Sequence, residues 1–249
     1  MTRAYVATAL SNEAPFLLEW VAHYRGMGFA GGILFTHDCE DGTDAMVARL
    51  AQMGHVHHVP MKARKTKDPT RKAMRDLPDV ARGIGAEWCL PVHIDEFLQV
   101  NAEDGTVGDL IKACGDADAI SVCRRAFGSS GHRGIPEGPL RESHRLTGPV
   151  EVTGPMIMRG IKTLFRLDAI SRAAPHRPFF PNGAPPKWVD AGGQAMPAQY
   201  LTKKWTAHDG FSQTHAQLPY YPIPSPEVAM IRGGVPEKDN TQKAFEEDW

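Results

Sequence analysis

Acidic side chains follow three of the β-strands predicted in the first half of this chain. Asn12 and Glu13 come after the first strand, Asp38 after the second and Asp95 after the fourth. An open α/β sheet binds ligands outside the carboxyl ends of its strands, so we expect these side chains to face one crevice. Taken singly, each has an ordinary explanation, because Asp and Asn favour turns for local reasons. Three such loops together favour a binding site.

The sharpest of these segments is His-Ile-Asp-Glu-Phe at residues 93–97. Two adjacent acids, Asp95 and Glu96, stand in an apolar context, which is costly unless a cation or hydrogen-bond donors meet them. An oxygen-ligated Mg²⁺ or Mn²⁺ ion that bridges a diphosphate would supply the cation. The alternative is a strand-to-helix junction with Glu96 in the first helical turn, where the helix dipole favours it.

Alternating strands and helices must position these loops. β-Forming patterns predict strands at residues 3–9, 32–36, 56–59, 88–92 and 119–125. Helical spacing of apolar residues predicts helices at residues 16–25, 44–53, 72–84 and 106–112. We expect Pro78 to bend or break the third helix. The alternation predicts an α/β fold with a mostly parallel sheet.

The second half of the chain is richer in Gly and Pro. Its clearest strand is predicted at residues 161–167, and Pro-rich surface segments are predicted at residues 175–186 and 219–226.

Composition limits the classes of partner. The 249 residues carry a formal net charge of -1, which gives no global field for nucleic acid. Four scattered cysteines without a close pair predict free thiols in a reducing compartment. We find no leader pattern and no apolar run of the ~18 residues that a membrane helix needs. These features predict a cytoplasmic protein without a transmembrane segment, at most peripheral to the inner membrane.

Several motifs in order resemble the bacterial glycosyltransferase family 2-like proteins, which have a GT-A fold. The matching segments are residues 11–13, 16–20, 41–43, 94–98, 127–132, 162–166, 176–178 and 188–190. The resemblance runs from residue 5 to about residue 233 and implies a single GT-A (Rossmann-like) domain at 1–233. Within it, residues 1–125 would bind the nucleotide sugar and residues 126–233 would face the acceptor, with a tail at 234–249.

The resemblance implies transfer of a sugar from a nucleotide-diphosphate-sugar donor to a hydroxyl of a carbohydrate, lipid or protein acceptor, with inversion. Glu13 and Asp38 would contact the nucleoside, with Asn12 in the same donor-binding group. Asp95 would hold the metal and the diphosphate. Glu96 would lie beside the sugar or orient the loop.

Two positions depart from the family pattern. His93 replaces the usual Asp, and Pro-Tyr-Tyr at residues 219–221 replaces the usual Asn-His-Tyr. His93 can join Asp95 as a metal ligand, but imidazole prefers softer metals than Mg²⁺. The alternatives are therefore an active enzyme with an altered cation requirement, or a degenerate relative that binds carbohydrate or a partner protein. A nucleotidyltransferase, which attacks the α-phosphate, is a third reading.

Cationic side chains could also neutralise a leaving diphosphate. Lys162 and Arg166 alternate onto one strand face, and Arg71 or Lys72 lies in a basic segment at residues 62–72. That segment is more simply explained as a solvated loop, and a surface for anionic lipid is a further reading.

Inverting transfer also needs a general base for the acceptor proton. The candidates in the second half are Glu142, Asp190 and Asp209, of which we favour Glu142.

Overall fold

The computed structural model describes residues 2–62, 68–134, 137–147, 159–183 and 185–222. Its first half alternates strands and helices: β1 (Ala4–Leu10), α1 (Ala14–Gly26), β2 (Gly31–Thr36), α2 (Thr43–Gln52), β3 (Val56–Pro60), α3 (Pro69–Gly83) and β4 (Trp88–Pro91). The second half contains β5 (Gln99–Val100), α4 (Val107–Ala113), β6 (Ala119–Ala126), α5 (Leu140–Ser143), β7 (Ile161–Arg166), β8 (Trp188–Asp190), a 3-10 helix (Ala198–Leu201) and β9 (Ala216–Tyr220).

One mixed sheet organises the chain, in the order β3-β2-β1-β4-β7-β6-β9-β5, with β8 beside β6. β1 pairs in parallel with β2 and β4, so the carboxyl ends of these three strands form one edge, here called the strand-end edge. β7 runs antiparallel to both β4 and β6, and β6 pairs in parallel with β9. The end of β6 and the start of β7 therefore reach the same edge. The predicted α/β class with a mostly parallel sheet is confirmed.

Apolar helix faces cover both sides of this sheet. On α1, the buried residues recur at helical spacing and form a stripe toward one core cluster: Phe16, Leu17, Trp20, Val21 and Tyr24. On α3, Ala73, Met74 and Leu77 belong to the core cluster on the other side. The helices thereby fix both faces of the sheet and leave the strand-end edge for the polar loops.

The expected break at Pro78 does not occur. α3 begins at Pro69, where Asp68 caps it by accepting a 2.9 Å hydrogen bond from the Arg71 N–H, and it continues through Pro78. Pro78 is buried with Leu77 against the sheet. Packing of this face offsets the hydrogen bond that a proline inside a helix lacks.

The predicted surface segments are partly buried. Pro219 and Tyr220 lie in β9 between β6 and β5, and Tyr221 is buried beside them. Pro219 lacks an N–H, but its carbonyl accepts a 2.9 Å hydrogen bond from Phe97. In the earlier segment, Arg177 is buried. Residues 223–226 and the predicted tail at 234–249 lie outside the described residues.

All four cysteines are free thiols, as predicted. In the described parts of the chain, no helix combines the length and the apolar character needed to cross a membrane.

Candidate functional site

The loops after β1 and β2 are joined by hydrogen bonds. The Asn12 side-chain oxygen accepts a 2.7 Å hydrogen bond from the Glu40 N–H, and the Ser11 hydroxyl lies 3.4 Å from the Asp38 carbonyl. Asn12 and Asp38 both adopt positive φ angles, of 57° and 45°. Asn and Asp tolerate this left-handed conformation better than most residues, which explains their place at these sharp turns. Asn12 thus connects the two loops.

Asp41 fixes the start of α1. Its carboxylate accepts hydrogen bonds from the Ala14 N–H at 2.9 Å and from the Thr43 hydroxyl at 2.6 Å. Burial alone would raise the pKa of Asp41, but these hydrogen bonds outweigh it and lower the pKa. Thr43 in turn accepts a 2.8 Å hydrogen bond from the Glu13 N–H, so the backbone of Glu13 is held in place.

Residues 93–97, here called the acid loop, follow β4 at the strand-end edge. Glu96 is fully buried, and its carboxylate accepts a 2.6 Å hydrogen bond from the His93 N–H. It also forms an ion pair with Arg124 at the end of β6, and it lies 3.5 Å from the Lys162 ammonium at the start of β7. Burial opposes ionisation, but these two cations hold the pKa of Glu96 well below its usual range. We call Glu96, Arg124 and Lys162 the buried ion cluster.

Helix α1 and strand β9 hold the backbone of the acid loop from two sides. The Tyr24 hydroxyl donates to the Glu96 carbonyl at 2.9 Å and accepts from the Leu98 N–H at 3.1 Å. The Trp20 indole N–H donates to the His93 carbonyl at 3.1 Å. On the β9 side, the Tyr221 N–H donates to the Asp95 carbonyl at 2.9 Å. The loop that carries Asp95 is therefore positioned before any ligand arrives.

Two predicted donor-binding residues prove to be internal. Glu96 has no exposed surface, so its carboxylate does not face the crevice in which a donor is expected. Lys162 is also buried, and its ammonium donates a 2.8 Å hydrogen bond to the Pro175 carbonyl. Burial lowers the pKa of Lys162 to about 8, although Glu96 opposes this effect. Lys162 therefore serves the buried ion cluster in place of the predicted diphosphate clamp.

Arg166 lies at the opposite end of the sheet from the acid loop. It pairs in register with Trp88 at the beginning of β4, and its guanidinium bonds the Asp168 carboxylate at 2.7 and 3.0 Å. Arg166 lies four residues beyond Lys162 along β7, which is roughly 13 Å of extended strand. Lys162 lies at the strand-end edge, so Arg166 does not reach that edge.

His93 and Asp95 supply an incomplete set of metal ligands. Burial, followed by the charges of Lys162 and Arg124, holds the pKa of His93 well below its usual range. A neutral imidazole can ligate a metal, but the two neighbouring cations repel one. Among the described residues, no group of three His, Cys, Asp or Glu side chains is arranged to hold an ion. Within the part of the chain that the structure describes, His93 and Asp95 would therefore supply at most two of the ligands that a divalent cation needs.

Asp190, predicted as catalytic, holds a turn. One of its oxygens accepts hydrogen bonds from Gly192 at 2.9 Å and Gln194 at 3.0 Å, and the other accepts from Ser212 at 2.8 Å. The side chain is fully buried at the level of Ser121 in the middle of β6. With both oxygens bound to backbone N–H groups, Asp190 is not placed to accept a substrate proton.

Glu142 is exposed on α5, which packs against the side of α1. The Glu19 carboxylate of α1 accepts hydrogen bonds from the N–H groups of Leu140 at 2.6 Å and Arg141 at 3.2 Å. Neighbours of Glu142 line a cavity of about 480 Å³ together with aromatic side chains: Arg141, His144, Arg145, Phe97, Phe127 and Tyr221. Asp209, the other candidate base, is exposed in the loop before β9.

Arg124 is the main site residue that the sequence analysis missed. A usable signal was present, because an arginine in an otherwise apolar strand requires an acidic partner when the strand is buried. The Arg124 guanidinium carbon also lies 4.3 Å from the ring centroid of Tyr220 in β9. This cation–π contact helps to hold the guanidinium in place.

Comparison with known proteins gives partial similarities. No protein-family model matches the chain. In an alignment of 138 positions that covers 53% of the chain, it is 26% identical to a glycosyltransferase family 92 protein from Ricinus communis, of which the match covers 24%. The chain thus spans about a quarter of the length of this curated relative.

Solved structures show a similar partial overlap. S. aureus TarS aligns with 68% of this chain and 29% of its own, at 14% identity and a TM-score of 0.44. The mannosyltransferase PcManGT from Pyrobaculum calidifontis, solved with GDP-Man and Mn²⁺, aligns with 49% of this chain and 36% of its own, at 21% identity and a TM-score of 0.39. Both structural overlaps are partial and below 25% in sequence identity.

Proposed function

We propose that this protein is a glycosyltransferase that moves a sugar from a nucleoside-diphosphate-sugar to a hydroxyl of a carbohydrate, lipid or protein acceptor. The observation that carries the proposal is the acid loop, which the buried ion cluster anchors at the strand-end edge shared with the loops after β1 and β2. The partial sequence similarity to a glycosyltransferase family 92 protein supports the same class.

The donor would lie along the strand-end edge. Asn12, Glu13 and Asp38 would surround the nucleoside, because the hydrogen-bonded loops after β1 and β2 carry them. Asp95 would face the diphosphate from the acid loop. Glu96 would act as a positioning residue, since its carboxylate already accepts a hydrogen bond from the His93 N–H and pairs with the cations Arg124 and Lys162.

A divalent cation enters this proposal only together with the donor. His93 and Asp95 would contribute two ligands, and phosphate oxygens would have to complete the set. When bound, such an ion would neutralise charge on the leaving diphosphate. Glu142 remains the predicted general base, which an inverting transfer would require to take the acceptor proton.

Donor binding tests the proposal directly. Thermal stability of the full chain would be measured with UDP-, GDP- and dTDP-sugars, each with Mg²⁺, Mn²⁺ or a chelator. We expect at least one nucleotide sugar to raise the Tm. With Mg²⁺ or Mn²⁺ present, Asp95→Asn should weaken its binding about tenfold or more, because the ion loses an anionic ligand. Asp104→Asn, at an exposed acid, is the matched control. No shift with any nucleotide sugar would contradict the proposal.

Product analysis separates the enzyme classes. A glycosyltransferase releases a nucleoside diphosphate, whereas a nucleotidyltransferase releases pyrophosphate. Glu142→Gln would lower turnover without changing donor affinity if Glu142 is the general base.

A catalytically degenerate binding protein is the second candidate function. The incomplete ligand set of His93 and Asp95 favours it. Donor binding without turnover would support this reading, and sustained turnover by the purified chain would eliminate it.

A further inference from the structure

A basic cleft lies between the first turns of α3 and the loop at residues 172–179. Its volume is about 580 Å³, within the range of small-molecule sites. The side chains that matter here are Arg71, Lys72 and Arg75 from α3 and Arg172, Pro175 and Phe179 from the loop. Neither the donor site nor the buried ion cluster uses these side chains.

Positive charge exceeds negative charge in the basic cleft. Its four cations meet two acids: Asp68 lies 3.5 Å from Arg71, and Asp76 lies 2.6 Å from Lys72 and 3.5 Å from Arg75. The side chains of Arg71 and Arg75 are 82% and 68% exposed, so these pairs are weak and leave both guanidinium groups available. In a chain of net charge -1, this is a local concentration of cations in a concave surface.

Arg172 is held in position for an anion. Its guanidinium lies 3.9 Å from the ring centroid of Phe179. Phe179 donates a 2.8 Å backbone hydrogen bond to the Arg172 carbonyl, which closes the loop. This contact holds the guanidinium against the Phe179 ring, and the guanidinium fork matches the oxygens of a phosphate.

A hydrogen bond links the basic cleft to the candidate site. Pro175 lines the cleft, and its carbonyl accepts from the Lys162 ammonium at 2.8 Å. The same ammonium lies 3.5 Å from the Glu96 carboxylate under the acid loop. The Lys162 ammonium therefore contacts both a residue of the cleft and the carboxylate beneath the acid loop.

We propose that the basic cleft binds the phosphate group of the acceptor, which makes the acceptor a phosphorylated carbohydrate. The role of this ligand as the acceptor rests on the proposed function, whereas the phosphate site itself rests only on the residues of the cleft. Four cations, one of which is Arg172 against the Phe179 ring, suit a dianionic phosphate, and the volume leaves room for the sugar that carries it.

Calorimetric titration of the full chain with glucose 6-phosphate and with glucose tests this site. We expect the phosphorylated sugar to bind, the neutral sugar not to bind, and the affinity to fall as salt rises. The double variant Arg75→Ala/Arg172→Ala should lose about tenfold or more in affinity, as expected for two charge-assisted contacts. Arg172→Lys should lose part of it, because lysine keeps the charge without the fork. Arg49→Ala, at an exposed arginine on α2, should bind as the parent does.

The same variants titrated with UDP and GDP separate this proposal from the donor site. We expect nucleotide binding to survive in the double variant. Loss of both ligands together would assign the cleft to the donor and overturn the proposal, as would equal binding of glucose or an unaffected double variant. Binding to phosphatidic acid vesicles without binding of glucose 6-phosphate would also overturn it. If glucose 6-phosphate binds and no nucleotide does, the proposed function fails while the phosphate site stands.

Discussion

Glu96 and Arg124 form an ion pair that is closed to solvent and joins the acid loop to the end of β6. Their side chains are 0% and 3% exposed, and 28 residues separate them along the chain. Two charges so deeply buried are tolerated only because each compensates the other, with Lys162 as a third partner. The shape of the acid loop therefore depends on charge balance beneath it.

Removing the charge of Glu96 should lower the free energy of unfolding. In Glu96→Gln, the cations Arg124 and Lys162 stay buried without a counter-charge, so we expect a loss of about 3–5 kcal/mol in the free energy of unfolding. Urea denaturation measures this loss. Glu142→Gln is the matched control, because Glu142 is exposed, and it should change stability by less than about 0.5 kcal/mol. Equal stabilities of the two variants would contradict the role of the cluster.

Acid should weaken the fold through His176. Burial, followed by Lys162 and Arg124, lowers the pKa of His176 from 6.5 to about 3. As the pH falls, His176 therefore binds a proton at a higher pH in the unfolded chain than in the folded protein. The folded protein loses stability between pH 6.5 and about 3 as a result. His176→Phe keeps an aromatic ring against Trp205, 4.7 Å away, but has no proton to bind.

Unfolding free energies of the parent and of His176→Phe at several pH values check this assignment. We expect the difference between them to be constant above pH 6.5 and to shift in favour of the variant below it. His23, whose pKa is lowered to about 4, contributes to both proteins and cancels in the difference. Parallel curves at all pH values would show that His176 does not titrate as described.

Asp190 should prove structural in a stability measurement. Asp190→Asn replaces a charged acceptor by an amide, and its NH₂ group cannot accept from the Ser212 or Gly192 N–H. We expect a loss of about 1–3 kcal/mol, the cost of an unsatisfied buried group. The exposed Asp209→Asn is the control. An Asp190→Asn variant of full stability that loses turnover would restore the catalytic prediction.

Periodicity along the chain was enough to predict the fold class. Apolar residues recur at helical spacing in α1, and β-forming runs alternate with helices, which requires parallel strands with a common edge. The loops after β1, β2 and β4 were placed correctly for the same reason. Each helix or strand could be predicted because the residues that determine it are neighbours in the sequence.

The environment of each acid could not be predicted this way. Asp95 and Glu96 are adjacent and chemically similar, yet Glu96 is internal because its partner Arg124 arrives from a distant strand. Lys162 and Arg166 share a strand face, but a pattern of period two does not say which end of the strand meets the ligand. Pro219 suggested a loop, and aromatic burial around β9 overrode that local preference.

The turn held by Asp190 gives a steric prediction at Gly192. A Cβ atom at Gly192 would lie 2.0 Å from the Ser212 hydroxyl oxygen and 2.4 Å from its Cβ. Ser212 cannot easily retreat, because its N–H bonds Asp190 and its hydroxyl lies 2.9 Å from that of Thr214. Gly192→Ala should therefore destabilise the protein by about 1–3 kcal/mol, as overpacking does.

Two further variants isolate the clash at this turn by urea denaturation. Gly26→Ala adds the same methyl group at the end of α1, where no atom lies within 4 Å, and should be neutral or slightly stabilising. Gly192→Ala/Ser212→Gly removes the atoms that the new Cβ would meet, so it should recover stability relative to Gly192→Ala alone. Without that recovery, the cost would come from the backbone of the turn, and the close approach of Gly192 to Ser212 would not be its cause.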